Sequence, residues 1–212
     1  MIVYGSSISP FVRKVLAYLS EKGLKAEVKQ PNLRSPDPEF LSISPFGKMP
    51  GFRDGDFAIS DSTAIITYLE AAYPAPALLP SEPKARARTI WFEEFADTIM
   101  VAAVGKMFFN RVVAPRFLGQ KGDLAIADKA EKEELPPLLA YLEKVVPESG
   151  FLVGDGLTVA DIAVASPFVN LEHMGVKVDA ATYPKTAAFV ARILARPSFA
   201  PMVAAEKAFF AG

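Results

Sequence analysis

The chain has 212 residues, about half of them apolar, which is enough for one large buried core or two smaller ones. Its 23 Lys and Arg against 24 Asp and Glu give a net charge of −1, a balance that argues against nucleic acid or an anionic membrane as a main partner. Cysteine is absent and His173 is the lone histidine, so disulfides and thiolate metal sites are removed and a His-rich metal centre or a Ser–His relay is poorly supported. Any thiol chemistry here must use a sulfur that arrives with a ligand. The longest apolar run, Ile162 to Val169, contains Ser166 and Pro167 and falls far short of the ~20 residues of a spanning helix. The start, MIVYGSS, lacks the basic residues and long apolar block of an export signal, so a cytoplasmic protein is expected.

Ile2 to Tyr4 is a short apolar run closed by Gly5 and reads as a strand. Val12, Val15, Leu16 and Leu19 recur at helical spacing until Gly23, and Ala26 to Gln30 reads as a second strand. A proline-punctuated segment with a short helical stretch follows. Residues 51–53 and 57–60 then flank Asp54-Gly55-Asp56, a hairpin signal because glycine accepts the positive φ of the turn. Ile65, Ile66 and Leu69 open a helix that stops near Tyr73. The order is β-α-β, short helix, β-β-α. Pro74 to Pro83 has four prolines in ten residues and reads as an extended linker. Beyond it, helical patterns take over at roughly 84–112, 124–146, 158–174, 183–195 and 199–210, with Pro167 expected to kink the third. The pattern predicts an α/β domain over 1–75 and an all-helical domain over 84–212.

Three short segments carry candidate chemistry. Ser9 precedes Pro10 at the start of the first helix, where its hydroxyl can serve as an N-cap, as part of an anion site beside free N–H groups, or as both. Gly47-Lys48-Met49-Pro50 stands just before the hairpin; Pro50 is either an edge device or a cis-proline that frees the backbone of Met49 for an extended ligand. Asp61 and Ser62 open the next helix as ordinary caps, or as partners for a zwitterion bearing an ammonium and a carboxylate.

Taken together, S-x-x-S-P-F-V-R-K-V, G-K-M-P and S-D-S-x-A-I-I-x-Y-L closely resemble the glutathione-binding domain of the glutathione transferases. Leu157-Thr158-Val159-Ala160-Asp161-Ile162 resembles the capping motif of that family's second domain, with Thr158 as N-cap, Asp161 reaching back and Leu157 stapled onto Ile162. The resemblance spans essentially the whole chain. It implies a thioredoxin-like N-terminal domain, an all-helical C-terminal domain, glutathione as substrate without a metal, and a cytoplasmic homodimer engaged in detoxification. It also implies that Ser9 hydrogen-bonds the glutathione sulfur, that Met49 pairs through its main chain with the cysteinyl unit beside a cis Pro50, that Asp61 and Ser62 hold the γ-glutamyl end, and that Lys48 faces the glycyl carboxylate. Ser44 replaces an Asn often found before the Pro-x-Gly turn. No cysteine follows Ser6 and Ser7, which weakens a match to the maleylacetoacetate isomerase class. The cysteine-type classes place cysteine where Ser9 stands and are excluded.

The implied activity is conjugation of the glutathione thiolate to small hydrophobic electrophiles. The alternatives are a glutathione-dependent isomerase, dehalogenase or peroxidase, or a non-catalytic interaction module on the same fold. Phe11, Met107, Phe108 and Phe109 offer apolar walls for an electrophile, though the Met-Phe-Phe run also suits ordinary helix packing, and Arg111 is placed to meet an anionic electrophile. Tyr4 lies inside the first strand and reads as structural, His173 as a helix-end residue, and Glu131 to Glu134 as a solvated helix face. Phe46, four residues before Pro50, is expected to face outward and to plug a second copy near Trp91 and Phe92.

Overall fold

The computed structural model describes residues 1–32, 35 and 37–211. They fall into two compact units, Met1–Leu78 together with Pro197–Gly212, and Leu79–Arg196. The end of the chain therefore groups with its beginning, whereas the sequence pattern divides the chain once, at the proline linker.

In the first unit the elements run β1 (Ile2–Tyr4), α1 (Pro10–Glu21), β2 (Glu27–Lys29), α2 (Pro38–Ile43), β3 (Gly51–Asp54), β4 (Phe57–Ser60) and α3 (Ser62–Ala72). This is the order predicted from the sequence. The sheet order is β2-β1-β3-β4, with β1 parallel to β2 and antiparallel to β3. β3 and β4 form the Asp-Gly hairpin, with Gly55 at φ 60° in its turn. The alternation of side chains along β1 sorts the core into two layers. Val3, opposite Phe52, is fully buried with Val12, Val15, Ile65 and Leu69 of α1 and α3, and the Phe52 ring lies 6.0 Å from that of Tyr68 on α3. Tyr4 points the other way and packs with Phe40 and Ile43 of α2. Each such apolar side chain withdrawn from water is worth ~1.5–3 kcal/mol, and together these residues fix the sheet from which the site loops emerge.

The second unit is helical. A helix from Pro83 to Leu118 comprises α4 (Pro83–Glu94) and α5 (Val101–Phe108), each followed by a π-helical stretch, Phe95–Met100 and Phe109–Leu118. It outruns the predicted end near 112, continues past Pro115 and stops at Gly119, φ 66°, in the left-handed conformation that glycine tolerates. α6 (Leu124–Lys129) passes through a further π-helical turn, Ala130–Glu134, into α7 (Leu135–Val145), and α8 (Val159–His173) and α9 (Pro184–Leu194) follow. α8 runs through Pro167 and is buried from Val159 to Leu171. A helix apolar on every side belongs in the middle of a bundle. At its start Asp161 Oδ2 accepts from Thr158 N–H (2.8 Å) and Oγ1–H (3.1 Å), and Oδ1 accepts from Leu152 N–H (2.7 Å). Burial pushes the Asp161 carboxyl above its ordinary pKa even though these donors favour the charged form. The last helix, α10 (Ala200–Ala211), belongs to the first unit. No helix among the described residues is long and apolar enough to cross a membrane.

Candidate thiol site

Three loops of the first unit leave one edge of the sheet. Tyr4, Gly51 and Ser60 stand in one row across β1, β3 and β4. The segments attached to them are Gly5–Ser9, Met49–Pro50 and Asp61–Ser62, the ones singled out in the sequence.

The first loop starts with a requirement for glycine. Gly5 has φ 151°, and a Cβ there would lie 2.5 Å from Val12 Cγ2, so only glycine lets the strand end run this close to α1. Ser6 O accepts from Ser9 N–H at 2.9 Å, turning the loop back, and Ser6 Oγ lies 3.4 Å from the N–H of Ile8. Ser9 occupies the N-cap position (φ −73°, ψ 128°), yet its side chain makes no capping hydrogen bond. Pro10 brings no N–H, and those of Phe11 and Val12 precede the first helical bond, Arg13 N–H to Ser9 O at 2.9 Å. Of the two roles open to Ser9, the cap is not made. A half-buried hydroxyl stands at the positive end of a twelve-residue helix.

The second loop is closed by a residue that sequence reasoning noted only as a departure. Ser44, buried at the end of α2, donates through Oγ to Lys48 O (2.7 Å) and accepts from Lys48 N–H (3.0 Å). Gly47 N–H adds a bond to Ser44 O at 2.9 Å. The signal was present: a small hydroxyl residue four positions before a backbone that must be held from both sides. The Met49–Pro50 bond is cis. Pro50 is buried, Met49 packs against the Tyr4–Phe40–Ile43 cluster, and the Lys48 side chain is exposed.

At the third loop Asp61 has φ 81° and ψ 129°, and it is the only non-glycine residue among those described with positive φ. Its Oδ1 accepts from the N–H groups of Thr63 and Ala64, both at 3.0 Å, and its side chain is exposed. Ser62 is buried. Holding a non-glycine residue in this conformation costs on the order of 1–3 kcal/mol. In return the exposed carboxylate caps α3 through Oδ1, with Oδ2 as a second acceptor.

The remaining candidates divide. Phe11 on α1 is half-buried. In the second unit Met107 and Phe108 are buried, as helix packing requires, while Phe109 is exposed. Arg111 pairs with Asp128 (2.7 Å) and Glu131 (2.5 Å); burial works against its charge, but these carboxylates hold its pKa above the ordinary value. Its charge is thus matched twice inside its own unit. Glu134 likewise pairs with Lys106 at 2.8 Å, so the 131–134 segment is an ion-pairing face rather than a merely solvated one. Tyr4 is buried outright and donates to Glu39 at 2.7 Å; burial and that carboxylate push its pKa up to about 12. His173 is the last residue of α8. Phe46 is 89% exposed and Trp91 50%, but Phe92 is buried, so only one of the two expected contact residues on α4 reaches the surface. A cavity of about 230 Å³ lined by Phe168, Leu171, Val176 and Val190 lies within the helical unit and includes none of the candidate residues. No group of three or more His, Asp or Glu side chains among the described residues is arranged to hold a metal ion.

Comparison with known proteins gives consistent matches. A model of the glutathione S-transferase N-terminal domain matches residues 3–77, and one of the glutathione S-transferase C-terminal domain matches residues 110–205. The chain is 33% identical over 211 residues to a glutathione S-transferase of Hyoscyamus muticus, covering 96% of this chain and 97% of the relative. It is 32% identical over 209 residues to glutathione S-transferase 3 of Zea mays, covering 96% and 93%. Among solved structures, a glutathione S-transferase from Rhodospirillum rubrum F11 superimposes with a TM-score of 0.85 at 27% identity, over 95% of this chain and 90% of that one.

Proposed function

The chain belongs to the glutathione S-transferase family, and from that premise we propose that it conjugates the thiolate of glutathione to small hydrophobic electrophiles, with Ser9 as the catalytic residue. The observation that carries the assignment is the Ser9 hydroxyl, which occupies a cap position without capping and stands at the N-terminus of α1. A free thiol of pKa about 8.5 is only a few per cent ionised at pH 7, and lowering that pKa by ~2 units requires about 2.7 kcal/mol in favour of the thiolate. One hydrogen bond to a charged acceptor gives ~1.5–3 kcal/mol, and a helix N-terminus adds ~0.3–1 kcal/mol. The two together are the right size.

In this reading residues 1–75 bind the tripeptide. The main chain of Met49 pairs with the cysteinyl unit, the Asp61 carboxylate and the Ser62 hydroxyl take the γ-glutamyl end, and Lys48 takes the glycyl carboxylate. Phe11, half-buried on α1, offers an apolar wall to the electrophile, while Met107 and Phe108 serve the packing of the helical unit and Arg111 is held by its own carboxylate partners. The protein acts as a cytoplasmic homodimer in detoxification, and the outward Phe46 supports pairing with a second copy. The test is titration of the thiolate absorbance of bound glutathione, followed by turnover of a panel of electrophiles. A bound thiol ionised well below the pKa of free glutathione, with conjugate formed, is the expected result. Glutathione bound with an unshifted thiol and no product from any electrophile would overturn the assignment.

A further inference from the structure

The Ser9 hydroxyl makes no cap bond, so nothing in the side chain's own contacts with the helix sets its position; the backbone must do it. The peptide unit between Ile8 and Ser9 is gripped at both ends. Its N–H donates to Ser6 O at 2.9 Å, and its C=O accepts from Arg13 Nη2 at 3.4 Å. Arg13 sits one helical turn beyond Ser9 and is fully buried. Its guanidinium is itself held as a fork: Nε donates to Glu206 Oε1 at 3.2 Å and Nη2 to Glu206 Oε2 at 2.7 Å. Glu206 lies on α10 and is buried as well. All these residues belong to the first unit.

A buried ion pair is weak evidence for stability, because taking both charges out of water offsets most of their attraction; a well-packed apolar pair often does as well or better. What the fork does provide is direction. A planar guanidinium gripped by two carboxylate oxygens has the directions of its other N–H donors fixed, and here the second Nη2–H ends on the carbonyl adjoining Ser9. We infer that Arg13 is a positioning residue for Ser9, held in place by Glu206, so that the last helix of the chain sets the geometry of the thiolate-stabilising hydroxyl. The inference rests on the Ser9 assignment above. Arg13 does not touch glutathione in this scheme; it fixes the peptide plane from which the Ser9 side chain departs.

A residue with only a structural role would change stability alone. A positioning residue changes the bound thiol while leaving the rest of the tripeptide contacts intact. Glu206→Gln keeps the size of the side chain and removes the charge that grips the fork. In that variant the pKa of bound glutathione should rise by about one unit, a roughly threefold smaller thiolate fraction and kcat at neutral pH, recovering as pH rises. Affinity for S-methylglutathione, which has no thiol to ionise, should stay within about twofold, since Lys48, Met49, Asp61 and Ser62 are untouched. If Glu206→Gln fails to fold, the double variant Arg13→Met with Glu206→Met replaces the pair by apolar side chains that suit the buried site, and the same thiol shift is expected of it. A folded variant of either kind with the wild-type thiol pKa and kcat would overturn the inference while leaving the Ser9 assignment standing. A wild-type protein that binds glutathione without lowering its thiol pKa would overturn both.

Discussion

Ser9→Ala separates the catalytic role of this side chain from a structural one, because the two predict opposite patterns. A true N-cap replaced by alanine costs about 1 kcal/mol of stability. The Ser9 side chain makes no capping bond, so the replacement should leave the unfolding midpoint nearly unchanged. The loss should appear on the bound thiol. Removing a hydrogen bond to a charged acceptor, ~1.5–3 kcal/mol, corresponds to a rise of about one to two units in its pKa. Turnover at neutral pH should fall roughly three- to twenty-five-fold with the thiolate fraction, and part of it should be restored at higher pH as solvent ionises the thiol. Affinity for glutathione should change little, because the other contacts remain. Three measurements decide: a thermal melt, a thiolate titration of the complex, and kcat against pH. A variant that loses about 1 kcal/mol of stability while its bound thiol titrates as in the wild type would refute the reasoning and make Ser9 a cap after all. A disabled Ser7→Ala beside an active Ser9→Ala would move the role to Ser7.

Asp61→Asn keeps an acceptor for Thr63 and Ala64 and tolerates the positive φ, so it should fold normally yet weaken glutathione binding about tenfold by calorimetry, the loss of one charge-assisted bond. Tyr4→Phe should leave the bound thiol pKa unchanged and cost about 1 kcal/mol of stability, since the hydroxyl serves Glu39; a shifted thiol would make Tyr4 catalytic. Asp161→Asn removes one of the two acceptor oxygens at the start of α8 and should lower stability by about 2 kcal/mol. Because burial raises the folded-state pKa of Asp161, the folded protein binds that proton more tightly than the unfolded chain. Wild-type stability relative to this variant should therefore grow as pH falls from the raised value toward the ordinary carboxylate range, and level off below it; melts showing the gap shrink toward acid would contradict the assignment. Phe46→Ser should shift the protein toward monomer by light scattering at micromolar concentration, and a wild type already monomeric there would dismiss the dimer.

The parts of the fold legible in the sequence were those specified locally. The Asp54-Gly55 turn, the β1 run ending at Gly5, the proline linker and the helical spacings are each written within ten or so residues, and the structure follows them closely. The Thr158–Asp161 box was legible for the same reason. What the sequence hid were polar pairings between distant positions. Arg13 reads as one more charged residue on a helix until Glu206, 193 positions later, is seen against it. Nothing in the sequence distinguishes Lys22 from a surface lysine, yet it is buried, bonded to the carbonyls of Tyr73 and Pro76 and paired with Glu70, which also accepts from the Tyr18 hydroxyl. Arg111 looked available for a ligand because Asp128 and Glu131 approach it only after α6 folds back. Periodicity predicts which face of a helix is dry, but not which charged group is buried among the dry ones.

The return of α10 to the first unit has a consequence for how the protein is made. A ribosome adds ~5–20 residues per second, so Glu206 follows Arg13 by roughly 10–40 seconds. The second unit, continuous from Leu79 to Arg196, is already fully synthesised when Pro197 is added. The usual order of vectorial synthesis, in which the N-terminal portion is finished first, is reversed here. The segment bearing Ser9 obtains its buried carboxylate only after the whole helical unit has been translated. A message truncated between the codons of Arg196 and Glu206 would yield a chain with its helical unit whole and with Arg13 lacking the side chain that grips it.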